Sequence, residues 1–329
     1  MRARWKGFRS VLAPHVIQYI RVKRAAGRKF RCEVGELRLF DQFVHERRIR
    51  SLQDITTRHI DAYLTSRPRK RPRSYNHLLG AVRRLFRWLV AQGELVRSPV
   101  CQRPRRATSP RIPFIFGPQD ARRLLACADA LPTKGGTLLR GLTYRTMFAV
   151  LYALGLRIGE ACRLQCKDVD RARQLLVVRD TKFGKSRLVP FGPNVGALLA
   201  EYLERRFPGE SSPPSDAPLF SLRGKRSINP CTVSQTFHAM VPKLALASRP
   251  GVAPPRLHDL RHSCAVRVLL RWYRQGEDPS ARLLHLSTFL GHANTESTAV
   301  YLTITTELLE EASQRFERYA EVSSGGRQR

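Results

Sequence analysis

Acidic residues are scarce in this chain. Its 329 residues carry 59 Lys and Arg against 26 Asp and Glu, a formal net charge of +33 at pH 7. The shortage is deepest in residues 1–112, where 28 basic side chains face 7 acidic ones, a net +21, which leaves +12 for residues 113–329. Solubility needs no such excess, whereas a partner with dense negative charge does, and nucleic acid is the first candidate. A GC-rich coding sequence also makes chains basic, but it does not concentrate the charge in the first third.

Other features are missing too. No apolar run approaches the length of a membrane span, and the N-terminal MRARWKGFRSVLAPHVIQYI holds no sustained apolar core, so the expectation is a cytoplasmic protein with no membrane partner. The seven cysteines (Cys32, Cys101, Cys127, Cys162, Cys166, Cys231 and Cys264) are odd in number and scattered, which argues against a disulfide framework. Cys162 and Cys166 stand i,i+4, but no second Cys/His pair lies near to complete a zinc site. All seven read as reduced structural residues. Neither a Walker A sequence nor G-x-G-x-x-G occurs, so neither a cofactor nor a metal is expected.

What is present suffices for two domains, with 42% hydrophobic residues to build their cores. Helical spacing of apolar residues predicts helices over 11–23, 32–45, 55–65 and 75–92, a small bundle. Between the last two lies RPRKRPR, residues 67–73, which reads as a basic loop because of its prolines. A solvated charge run is the commoner meaning of such a stretch. The surrounding charge instead favours Arg67, Arg69, Lys70, Arg71 and Arg73 as DNA contacts, with Arg83, Arg84 and Arg87 on the outer face of the helix that follows. Residues 98–113, SPVCQRPRRATSPRIP, hold four prolines and four arginines and read as a stiff connection, with Arg105 and Arg106 as further DNA contacts. The expected division is 1–105 for the helical DNA-binding domain, 106–113 for the linker, 114–322 for a second domain and 323–329 for a disordered tail.

The second domain reads as mainly α with a small β-hairpin. Helices are expected over 121–130, 137–154, 156–164, 195–206, 232–246 and onward to about 320, and strands over 175–178 and 187–190 flank the polar turn DTKFGKS. Along it lie Arg157 in ALGLRIGEACRL, Lys182 in TKFGKSR, His258 and Arg261 in LHDLRHS, His292 in LGH, and Tyr301 nine residues later. Each alone has an ordinary meaning. Arg157 reads as a helix-end arginine paired with Glu160, Lys182 as a solvated turn lysine, His258 as a helix-start residue, His292 as a turn residue and Tyr301 as a partly buried tyrosine. Together they suit attack on a phosphodiester. Two arginines and a histidine neutralise the charge that builds on the phosphate oxygens, and a tyrosine attacks once its proton leaves.

In this order the residues resemble the catalytic set of the tyrosine recombinase, or phage integrase, family, Xer-like two-domain type, whose pattern is Arg…Lys…His-x-x-Arg…His…Tyr. The flanking LGLRIGE, KSRLVP, LHDLRHS and LGH also fit. The resemblance covers the second half by motif and the first third by type, where the family places a SAM-like core-binding bundle. It implies Tyr301 as nucleophile, His258 as base and the hairpin lysine as leaving-group acid, Lys182 in preference to Lys185. It further implies a 3′-phosphotyrosyl intermediate without ATP, and a homo-tetramer on two double-stranded DNA sites, alone or with related recombinases, serving a mobile element. The short first third implies no separate arm-binding domain. Two alternatives share the pattern. A type IB topoisomerase relaxes any supercoiled plasmid as a monomer, and a non-catalytic DNA-binding protein binds without forming phosphotyrosine.

Overall fold

The computed structural model describes residues 7–28, 30–106, 112–133, 137, 139–179, 186–210, 213–224, 226–247, 250–303, 310 and 313. The chain divides into two compact units, Met1–Pro110 and Arg111–Arg329. The hairpin turn with Lys182 and Lys185, most of the linker 106–113 and the tail 323–329 lie outside the described residues.

The first unit holds α1 (Ala13–Ala25), α2 (Arg31–Glu46), α3 (Thr57–Ser66) and α4 (Pro72–Ala91). The apolar stripe of α4, from Leu78 through Val82, Leu85 and Phe86 to Leu89, is buried. Phe40 of α2 meets Tyr63 of α3 edge-on at 4.9 Å and Phe86 of α4 at 5.9 Å, so one aromatic side chain joins three helices. The fully buried Asp41 accepts bonds from the Arg9 amide at 2.7 Å and the Ser10 hydroxyl at 2.5 Å, which ties the chain ahead of α1 to α2.

One expected boundary is corrected here. The basic run does not stay a loop to residue 73, because Pro72 opens α4. A proline at the first helical position gives up an N–H that would have had no partner anyway, and its fixed φ suits the helix. Residues 99–105 also fold back on this unit. The Thr57 hydroxyl donates to the Pro99 carbonyl at 3.0 Å, and Asn76 holds both backbone groups of Arg105, at 2.7 and 2.8 Å.

The second unit contains α5 (Pro118–Asp129), α6 (Arg140–Leu154), a single turn α7 (Ile158–Ala161), α8 (Pro193–Arg206), α9 (Pro230–Met240), α10 (Asp259–Arg274), α11 (Leu283–Leu290) and the short α12 (Glu296–Ala299). The expected hairpin has a third member: β1 (Val169–Asp170), β2 (Leu175–Val178) and β3 (Arg187–Pro190) form an antiparallel sheet in that order, with Leu176 opposite both Val169 and Val189. At two residues, β1 is too short to show an alternating pattern in sequence. The helix expected over 232–246 stops at Met240 and continues as a 3-10 turn, Val241–Leu244, since Pro242 cannot donate to the helical ladder.

Helix α6 is buried over most of its surface and runs through the core, with Tyr144, Met147, Phe148 and Val150 wholly buried. It crosses α5 closely, and a Cβ on Gly141 would stand 2.1 Å from the Asp129 carbonyl oxygen. Gly141→Ala is therefore expected to cost about 1–3 kcal/mol, the usual range for overpacking. A thermal unfolding midpoint equal to that of the unsubstituted chain would show that the crossing has slack.

Candidate active site

Two helix ends build the floor of the site. Helix α6 terminates at Gly155 with φ +60°, and α11 terminates at Gly291 with φ +70°, the left-handed turn that glycine makes without strain. Neither position has room for a side chain. A Cβ on Gly155 would come within 2.8 Å of Leu290, and one on Gly291 within 2.8 Å of the Arg187 guanidinium.

The carbonyls at these ends are held by arginines. Arg261, on α10 and 1% exposed, donates from Nη1 to the Gly155 carbonyl at 2.6 Å and from Nη2 to the Leu290 carbonyl at 2.7 Å. Arg157, which precedes α7, donates from Nη2 to the Gly291 carbonyl at 2.7 Å. Arg187, the first residue of β3, donates from Nε to the Phe289 carbonyl at 2.9 Å. A guanidinium has five N–H groups in a fixed fork, so a bond to a carbonyl sets its plane and leaves donors for another acceptor.

Glu160 balances part of this charge. It is 3% exposed, accepts from Arg157 Nη1 at 2.8 Å and from Arg187 Nη2 at 2.9 Å, and caps α7 by accepting from the Arg157 amide at 2.9 Å. Burial alone would raise its pKa. The bonds and charge of Arg187, with those of Arg157, outweigh it and hold the carboxyl at about 2. The excess of cations also acts on Arg261, whose pKa falls to about 10 through burial first and the charge of Arg157 second.

Tyr301 lies in a 3-10 turn, Val300–Thr303, after α12, and is 3% exposed. Its ring stacks with that of His292 at 6.2 Å between centroids, and its hydroxyl stands 2.8 Å from Nδ1 of His262. Burial raises its pKa above the ordinary 10, while the charge and hydrogen bond of Arg261 pull it down. His292 Nδ1 bonds the hydroxyl of the buried Thr298 at 2.7 Å, which fixes its ring. Burial and then the charges of Arg261 and Arg157 hold His292 near pKa 4. His258 stands directly before α10 and keeps a solvent-facing side, yet partial burial of its ring and then the charges of His262 and Arg261 also bring it to about 4. Both imidazoles are neutral at pH 7, each with one donor and one acceptor nitrogen.

Five of the six expected residues thus converge: Arg157, His258, Arg261, His292 and Tyr301. The sixth, Lys182, lies outside the described residues. Sequence reasoning passed over Arg187 and His262. The second had a usable signal, since His258 and His262 are four apart and share one face of α10. The first had none, because nothing local in β3 marks Arg187 as a partner of Glu160. Among the basic residues of the first unit, Lys70, Arg71, Arg73, Arg84, Arg87, Arg105 and Arg106 are exposed. Arg83 instead turns inward to donate to the Gln102 carbonyl, Arg67 lies over the Tyr63 ring, and Arg105 covers the Tyr75 ring at 4.0 Å.

With this geometry in hand, the relatives agree on what it belongs to. The profile of the phage integrase family matches residues 118–307, and that of the phage integrase N-terminal SAM-like domain matches residues 34–93. The chain belongs to the phage integrase family, the tyrosine recombinases. Over 308 residues it is 34% identical to y4rB of Sinorhizobium fredii (strain NBRC 101917 / NGR234), which bears the name of a candidate integrase/recombinase, and the match spans 92% of this chain and 96% of that one. It is 31% identical over 229 residues to the tyrosine recombinase XerC of Mycobacterium sp. (strain KMS), across 68% of this chain and 70% of that one. In fold it resembles the Tn1549 transposon integrase in complex with transposon right end DNA, with a TM-score of 0.63 at 17% identity over 95% of this chain and 100% of that one. A lambda integrase dimer bound to a COC′ core site gives a TM-score of 0.61 at 20% identity, over 88% of this chain and 76% of that one. No helix among the described residues is long and apolar enough to cross a membrane.

The depressed carboxyl of Glu160 makes stability depend on pH with a definite sign. Its folded pKa of about 2 lies below the ordinary 4.5, so its contribution is full above pH 4.5 and is lost as pH falls toward 2. By linkage this is on the order of 3 kcal/mol. Glu160→Gln is expected to lose about that much at pH 7, with the gap to the unsubstituted chain closing below pH 4.5. Denaturant titrations at pH 7, 4 and 3 measure it, and a gap independent of pH would contradict the assignment.

Proposed function

We propose that this chain cuts and rejoins double-stranded DNA at specific sites through a 3′-phosphotyrosyl intermediate, acting in the cytoplasm for a mobile element as a homo-tetramer on two DNA sites. The observation that carries the reading is the Tyr301 hydroxyl, seated in the pocket of its own chain beside Arg261. That placement supports a nucleophile and charge clamp drawn from one protomer.

In this reading Tyr301 Oη attacks phosphorus. The new O–P bond forms as the bond to the 5′ oxygen breaks, and the phosphotyrosyl link conserves the bond energy for rejoining. Arg157 and Arg261 direct their remaining N–H groups at the non-bridging oxygens. His292 and the solvent-facing His258 add neutral donors; His258 does so in place of the base role the resemblance implies, since the imidazole within hydrogen-bond reach of the Tyr301 hydroxyl is that of His262. One such donor lowers a barrier by about 2.7–4 kcal/mol. Since the arginines are already anchored to carbonyls, little reorganisation is needed when the phosphate arrives. The departing 5′ oxygen takes its proton from Lys182. The exposed cations of the first unit, Lys70, Arg71, Arg73, Arg84, Arg87, Arg105 and Arg106, hold the duplex through its phosphates, joined by the half-buried Arg67 and Arg69, while Arg83 is taken up by the Gln102 carbonyl.

The test is a duplex nicked next to the cleavage point, so that the short leaving strand diffuses away and rejoining fails. The full chain is expected to form a DNA adduct that survives denaturation, and Tyr301→Phe to form none. Equal adduct from both would rule out Tyr301 as nucleophile.

A further inference from the structure

Resting on that reading, we infer that His262 is a catalytic residue of the cleavage step: it accepts the Tyr301 proton as the phenolic oxygen attacks, with the buried Asp259 carboxylate facing the other nitrogen of its ring.

The geometry carries this. His262 Nδ1 lies 2.8 Å from the Tyr301 hydroxyl, within the distance a general base needs. On the far side of the ring, Nε2 stands 4.0 Å from Oδ1 of Asp259, which is fully buried. That carboxylate is itself fixed, since the Arg256 amide donates to its other oxygen at 2.8 Å and the Arg256 guanidinium lies 3.3 Å from Oδ1. Hydroxyl, imidazole and buried carboxylate thus stand in series. A carboxylate facing Nε2 favours the tautomer with its hydrogen there, which leaves Nδ1 free to accept from tyrosine.

The spacing is written into α10. Asp259 and His262 are i,i+3 and His258 and His262 are i,i+4, so all three fall on one face of the helix. His258 meets the His262 ring edge-on at 4.8 Å and keeps its solvent-facing side for the phosphate. The two imidazoles divide the work, with His262 on the nucleophile and His258 on the substrate.

The proton balance is closed. The Tyr301 O–H bond breaks, its proton moves to Nδ1 of His262, and the Tyr301 oxygen bonds phosphorus while the 5′ oxygen departs with a proton from Lys182. The imidazolium then lies between the tyrosine and Asp259, and on rejoining it returns the proton to the tyrosine oxygen.

Two substitutions test this on the nicked duplex. His262→Asn places an amide where Nδ1 was, so it preserves a hydrogen bond without a base, and His262→Gln is a second replacement should the first not fold. Both are screened for thermal unfolding and DNA retention. Cleavage at pH 7 is expected to slow by about 10²- to 10⁴-fold, the usual contribution of a general base. The loss should shrink as pH rises toward 10, because the fraction of Tyr301 that has lost its proton to solvent grows with pH. Asp259→Asn should slow cleavage less, in the same direction. The groups interacting with His262 that also titrate or carry charge are His258, Asp259, His292 and Tyr301, so the comparison is between pH profiles of variant and unsubstituted chain. A duplex with sulfur in place of the 5′ bridging oxygen, whose thiolate leaves without a proton, should not rescue the His262 variants. Cleavage by both variants at or above the unsubstituted rate overturns the inference, as does full rescue by the sulfur substrate or a loss that stays constant with pH. If the unsubstituted chain traps no adduct, the recombinase chemistry itself falls, and this role with it. If it traps adduct and the variants match it, only the role of His262 falls.

Discussion

A helix that ends inside a protein leaves carbonyls that must find donors. At the end of α11 three consecutive carbonyls, those of Phe289, Leu290 and Gly291, take guanidinium donors from Arg187, Arg261 and Arg157. These arginines come from β3, from α10 and from the turn before α7, so one helix end draws three distant parts of the second unit together. The partial negative charge of a helix C-terminus steadies cations that would otherwise repel one another. Glu160 takes up a further share between Arg157 and Arg187. The whole cluster is best viewed as one object: remove the left-handed glycine that ends either helix, and the carbonyls no longer point at the arginines.

How the histidines and the tyrosine are held follows from the same turn. His292 comes directly after Gly291, so the geometry that ends α11 also sets where its ring starts, and Thr298 completes its placement. Tyr301 then reaches back over His292 to His262. The neutral state of both His258 and His292 is a consequence of crowding and neighbouring cations.

Much of this was legible in the chain itself. Apolar stripes marked α2 and α4, because a helix that buries one face must repeat every three to four residues. The pairing of Arg157 with Glu160 was visible at i,i+3, and LGH already read as a turn at His292. Arg187 was not legible, since its partner lies 27 residues earlier and only the folded sheet brings them together. The start of α4 was misjudged because proline in a basic run looks like loop, whereas at a first helical position it is at home. Residues 99–105 read as an extended connection. The side chains of Thr57 and Asn76 that bind it back to the first unit lie far away in sequence and give no local signal.

The anchored arginines have a consequence for how such a protein changes over time. In the proposed reading the free donors of the pocket act on a phosphodiester, a group identical at each step of any DNA. The chemistry is therefore indifferent to which bases flank the bond, and target choice rests on surfaces that contact groove edges elsewhere. Information and reactivity are held by different side chains, one set fixed by carbonyl geometry in the core and the other free to vary on the outside. A lineage of such chains can adopt new DNA targets by surface substitution while the carbonyl-bound arginines stay as they are.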